Sequence, residues 1–115
     1  RMHGEGTFAW PDGRKYVGQW AQDQFDGRGS FKWSDGTEYQ GEYRRNKKHG
    51  EGRCRWPDGS AFEGQWRNGK QHGLGVSTSS QGERRTGLWE NGKRARWVND
   101  KSHHDDGVLP TCLDT

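Results

Sequence analysis

Short runs along this chain alternate large rings and glycine with polar residues. Tyr16-Val17-Gly18-Gln19-Trp20, read as a strand, sets Tyr16, Gly18 and Trp20 on one face and Val17 and Gln19 on the other. Gly29-Ser30-Phe31-Lys32-Trp33 does the same with Gly29, Phe31 and Trp33. The pattern returns as Tyr39/Gly41/Tyr43, as Gly52/Cys54/Trp56 and as Phe62/Gly64/Trp66. Turn signals bound each run. Ser34-Asp35-Gly36 and Pro57-Asp58-Gly59 are tight-turn sequences, and Asp23, Asn46, Gly69 and Gly92 stand at equivalent places in the other connection. These features predict β-hairpins pairing edge to edge in an antiparallel meander. Helix is excluded by glycine at every few positions, each costing about 1 kcal/mol relative to alanine.

The hairpins recur at a fixed step. Gly18 returns as Gly41, Gly64 and Gly87, and Trp20 as Tyr43, Trp66 and Trp89. Such a period in a glycine- and aromatic-rich chain predicts an all-β repeat array: a single elongated, twisted antiparallel sheet. A partial unit spans 1–15, full units span 16–38, 39–61 and 62–84, and a degenerate cap spans 85–98. In the last unit Ser77 and Ser79 replace Phe31 and Trp33, and Arg85 replaces the leading tyrosine. Residues 99–115 read as a polar tail, extended or disordered, whose one apolar patch is Val108-Leu109-Pro110. That patch could fold back onto the aromatic face.

Composition sharpens this. Only 25% of the 115 residues are hydrophobic, too few for an ordinary two-layer core, but seven Trp, three Tyr and four Phe sit in register. Each ring can bury roughly 150–250 Å². Glycine marks where another group approaches a strand closely, so rings lying over bare glycine backbone would make a core on one face of the sheet. No run of about 18 apolar residues provides a membrane-spanning helix. The chain opens on Arg1 in mid-unit, as expected of a fragment whose targeting signals would lie outside it. Cys54 takes the slot of Phe8 and Phe31, which predicts a buried free thiol and hence a reducing, cytosolic setting.

No nucleophile–base order, phosphate-cradling loop or metalloprotease motif occurs, so an enzyme is not expected, nor is a cofactor. His3, His49 and His72 share one slot, but neighbouring repeats lie about 9.6 Å apart, too far for a shared metal. A turn-stabilising role is expected for them. His103-His104-Asp105-Asp106 reads as solvated tail.

Units such as Phe62-Glu-Gly-Gln-Trp66-Arg-Asn-Gly69-Lys-Gln-His72-Gly73-Leu-Gly75 resemble MORN repeats, whose pattern is YxGxWxxGxxHGxG followed by an aromatic strand and Asp-Gly. The resemblance covers residues 3–94, with Asp26 standing where His is usual. It implies a long, narrow, twisted single sheet with a groove. It also implies a scaffold or adaptor at membranes, cytoskeletal structures or cilia.

Two partner classes follow. In the first, Tyr16, Trp20, Trp33, Tyr39, Tyr43, Trp56, Phe62 and Trp66 line a groove for an amphipathic helix or extended peptide of a protein partner. In the second, Arg44, Arg45, Lys47, Lys48, Arg53 and Arg55 meet anionic lipid or phosphoinositide head groups, with Lys47 and Lys48 in a connecting turn. Open terminal edges give a route to homo-oligomers. The aromatic face is expected to carry too few cations for single-stranded nucleic acid.

Overall fold

Strands this rich in glycine can come closer than side chains normally permit, and the whole sheet is built on that approach. The computed structural model describes residues 2–98 and Cys112. Among the described residues, nine strands form one antiparallel sheet in strict chain order. They are β1 (Gly4–Ala9), β2 (Lys15–Ala21), β3 (Gln24–Lys32), β4 (Glu38–Arg44), β5 (Lys47–Arg55), β6 (Ala61–Arg67), β7 (Lys70–Thr78), β8 (Arg84–Glu90) and β9 (Lys93–Trp97). The sheet does not close into a barrel, and the molecule measures 51 × 24 × 16 Å. The expectation of an extended or disordered tail over 99–115 lies outside the described residues, apart from Cys112.

Register follows glycine. Gly6 faces Gly18, Gly18 faces Gly29, and the file continues through Gly41, Gly52, Gly64 and Gly75 to Gly87. A side chain could not enter it. A Cβ on Gly41 would collide with the Gly52 backbone, and one on Gly29 or Gly52 would run into the Tyr16 or Tyr39 ring.

Two turn types alternate. Gln22-Asp23, Arg45-Asn46, Asn68-Gly69 and Asn91-Gly92 all have positive φ at both positions, the geometry of two-residue hairpin turns matched to strand twist. At the other edge, the Gly36 N–H donates to the Trp33 carbonyl at 3.1 Å, and the Asp35 carboxylate accepts from the Thr37 N–H at 2.9 Å. Asp58 repeats this with Ser60. These bonds hold both carboxyls below the usual range: chiefly the Thr37 N–H at Asp35, and the Ser60 hydroxyl followed by its N–H at Asp58.

Each first strand also faces a bulge. Between the pairs Gly18–Gly29 and Trp20–Phe25, Gln19 stands opposite Asp26, Gly27 and Arg28. Its Oε1 accepts from the Arg28 N–H at 2.7 Å, as Glu42 does from Glu51 one repeat on. The bulge lets Phe25 rejoin the aromatic face, where it stacks on Tyr16 at 4.0 Å.

Two expectations are corrected here. Cys54 is fully buried but is not a free thiol: it is joined to Cys112, 58 residues away, with Cα atoms 6.4 Å apart. The inference of a reducing setting from a free thiol loses its footing. Lys47 and Lys48 do not sit in a turn but open β5, and Lys48 points inward, only 1% exposed. Lys48 holds the slot that Phe25 fills one repeat earlier.

Candidate functional site

The aromatic face divides into an open end, a closed middle and a polar end. All eight residues expected to line a groove are buried: Tyr16, Trp20, Trp33, Tyr39, Tyr43, Trp56, Phe62 and Trp66. Their polar ends are tied to the sheet. The Tyr16 hydroxyl donates to the Gln19 carbonyl at 2.8 Å, and Tyr39 donates to Glu42 at 2.9 Å. The Trp20 and Trp66 indole N–H groups donate to the Gly6 and Gly52 carbonyls at 3.1 and 3.0 Å. Burial pushes the Tyr16 phenol up to about 12, with Glu5 adding to the effect. The Tyr39 phenol is pushed up as well, by burial first and by Glu42 second.

The open end lies at β1. A cavity of about 450 Å³ is lined there by Met2, Phe8, Trp10, Trp20 and Phe25, with Arg14, Asp23 and Asn46 around it. Phe8 is 46% exposed and meets Trp10 edge-on at 4.7 Å, while the Arg14 guanidinium lies 5.0 Å over the Trp10 ring. This is where the described aromatic face offers large rings to solvent.

The middle is occupied. Cys112, 5% exposed, joins the buried cluster through Cys54. The Lys48 ammonium lies 5.2 Å from the Trp33 ring, 5.4 Å from Tyr39 and 5.8 Å from Trp66. Such contacts are worth about 2 kcal/mol when desolvated. Further on the face turns polar: Ser77 is buried, and Arg85 and Arg94 lie 4.0 and 4.4 Å over the Trp97 ring.

The six basic residues do not form one patch. Arg44, Arg45 and Lys47 are exposed at one hairpin turn, whereas Arg53 and Arg55 lie on the outer face, opposite Glu63 and Glu38 respectively. Lys48 is inside. At the same turn edge, a second cavity of about 480 Å³ is lined by Lys47, Arg67, Asn68, Lys70, Gln71, His72 and Asn91. His72 lies 3.4 Å from the Arg67 guanidinium at that turn.

Sequence reasoning missed Phe25, Lys48 and Gln71 as one inward slot, although an aromatic residue at its first copy was the available signal. It also missed Phe8 and Trp10 as the accessible rings, and Arg67 and Lys70 of the third hairpin as neighbours of Lys47 at the basic turn edge. Among known families, the MORN repeat model matches residues 1–13, 16–38, 39–61 and 62–84. Comparison with curated proteins finds no match.

Proposed function

The chain belongs to the MORN repeat family, and on that premise we propose that it is a non-catalytic scaffold whose aromatic face receives an extended protein segment. MORN repeats are non-catalytic modules involved in protein and membrane interactions. The supporting observation is Cys112. This residue is not part of any strand, yet it sits buried among the rings at Cys54. The face therefore accommodates a residue from outside the sheet. Exposed Phe8 and the cavity beside it give a further segment an apolar entry. Rings of this size anchor protein interfaces.

Truncating Tyr39 or Phe62 would be a poor test, because both are fully buried and each ring loss costs about 3–5 kcal/mol of stability. Phe8→Ser spares the core. In a peptide-display selection on the full chain, the enriched peptides are expected to alternate apolar and polar residues. They should lose binding to the Phe8→Ser chain and keep it with Arg53→Gln/Arg55→Gln. Failure to enrich any sequence, or binding indifferent to Phe8, would refute the reading.

An anionic membrane surface is the second partner class, favoured by Arg44 standing directly opposite Lys47 at an exposed turn. Flotation with liposomes containing and lacking phosphoinositide, at low and physiological salt, separates the two. Loss of all binding at physiological salt ends the membrane reading.

A further inference from the structure

Cross-strand neighbours of like charge repel, and in the β3–β4 pairing this sheet sets opposite charges together, Lys32 with Glu38 at 3.3 Å and Arg28 with Glu42 at 3.6 Å. The turn edge does the reverse in two successive hairpins, with Arg44 opposite Lys47 and Arg67 opposite Lys70. Lys47 of one hairpin and Arg67 and Lys70 of the next then line the same cavity of about 480 Å³, together with Asn68, Gln71, His72 and Asn91. Among the described residues, no carboxylate lines it. We propose that this cavity is a binding site for a phosphate-type anion, held by Arg67, Lys70 and Lys47 and bounded by Asn68, Asn91 and His72.

The chemistry fits the shape. A guanidinium offers a planar fork of donors to phosphate oxygens, and an ammonium offers a mobile point charge. Arg67 meets the His72 Nε2 at 3.4 Å through a single guanidinium nitrogen, and the fork carries further N–H donors on its other nitrogens. An anion lodged between the hairpins would relieve the repulsion between Arg67 and Lys70 while drawing Lys47 in from the neighbouring turn. The site lies at the hairpin turns, away from exposed Phe8, so it stands or falls independently of the aromatic face.

The full chain would be titrated calorimetrically with pyrophosphate at about 0.15 M salt, where diffuse surface attraction is screened. Saturable binding is expected, weakened about tenfold or more in Arg67→Gln/Lys70→Gln and little changed in Arg53→Gln/Arg55→Gln. Both pairs are exposed, so neither double variant threatens the fold. Soluble inositol trisphosphate and vesicles of phosphatidylcholine with phosphatidylinositol bisphosphate identify the source. Binding to both, weakened by Arg67→Gln/Lys70→Gln, supports the site and names a lipid headgroup. Binding to the soluble anions alone supports the site and names a free phosphate. The proposal is overturned by the absence of saturable pyrophosphate binding, by equal losses in the two double variants, or by vesicle binding without soluble binding.

Discussion

Tyr16 and Tyr39 stand at the same place in successive repeats, and each turns its hydroxyl to the carbonyl three residues on. What lies against them differs. Phe25 stacks on Tyr16 at 4.0 Å with ring planes 12° apart, whereas the Tyr39 ring has the Lys48 ammonium 5.4 Å away. In the third repeat the corresponding pair is Phe62 and Gln71. Backbone and glycine positions are thus held constant while one inward slot drifts from aromatic to cation to amide. The repeat specifies a scaffold, and the slot decides what that stretch of face can meet. Near the first copy the slot is aromatic and the face is partly open at Phe8. Near the second it carries a caged charge and the buried Cys112.

Breaking the shared scaffold should have the largest effect. Gly41→Val places a branched side chain against the Gly52 backbone, and overpacking of 1–3 kcal/mol is a lower bound where backbone itself must move. A fall in melting temperature of about 15 °C or more is expected, and an unchanged melt would remove glycine contact as the basis of the sheet. Next comes the staple in the middle. Cys112→Ser, or reduction with dithiothreitol, should cost about 2–4 kcal/mol. Denaturant midpoints read the loss, and no difference between oxidised and reduced chain would count against the Cys54–Cys112 pairing. The slot itself allows a reciprocal exchange. Phe25→Gln should destabilise by about 2 kcal/mol, losing both burial and the stack on Tyr16, and Gln71→Phe should stabilise by about 1 kcal/mol. No change in stability in either variant would mean the slot is indifferent to its occupant.

Titration gives the smallest and finest contrast. The folded Tyr16 pKa is raised to about 12 from 10, so its contribution is full below pH 10 and is lost as pH climbs towards 12. Tyr16→Phe should blunt alkaline unfolding in that window, monitored by circular dichroism. Asp35 and Asp58 shift the other way. Their contribution is present above the ordinary carboxyl pKa of 3.8 and fades as pH falls below it.

Strand faces and both turn types were legible because each depends on local chemistry repeated at a fixed step. Asn46 and Asp35 announce their turns without reference to anything distant. The slot was legible in principle, since Phe25 precedes Lys48 by one full unit, but a basic run of Arg44, Arg45, Lys47 and Lys48 reads as solvated when taken alone. Cys112 was not legible at all. A single residue beyond the repeats has no periodic partner to give its register, and only three-dimensional proximity joins it to Cys54. The splitting of the six basic residues among turn, outer face and interior likewise follows from hairpin geometry that charge counting ignores.

The unbroken glycine file from Gly6 to Gly87 also limits how this chain can go wrong. Sliding one strand past its neighbour by two residues would drive a ring into main chain at every crossing. Mispairing is therefore tolerated only in steps of a complete hairpin unit. Exchange of hairpins between copies, or deletion of one whole unit, would yield a longer or shorter sheet with the glycine register intact, so the molecule's length is quantised.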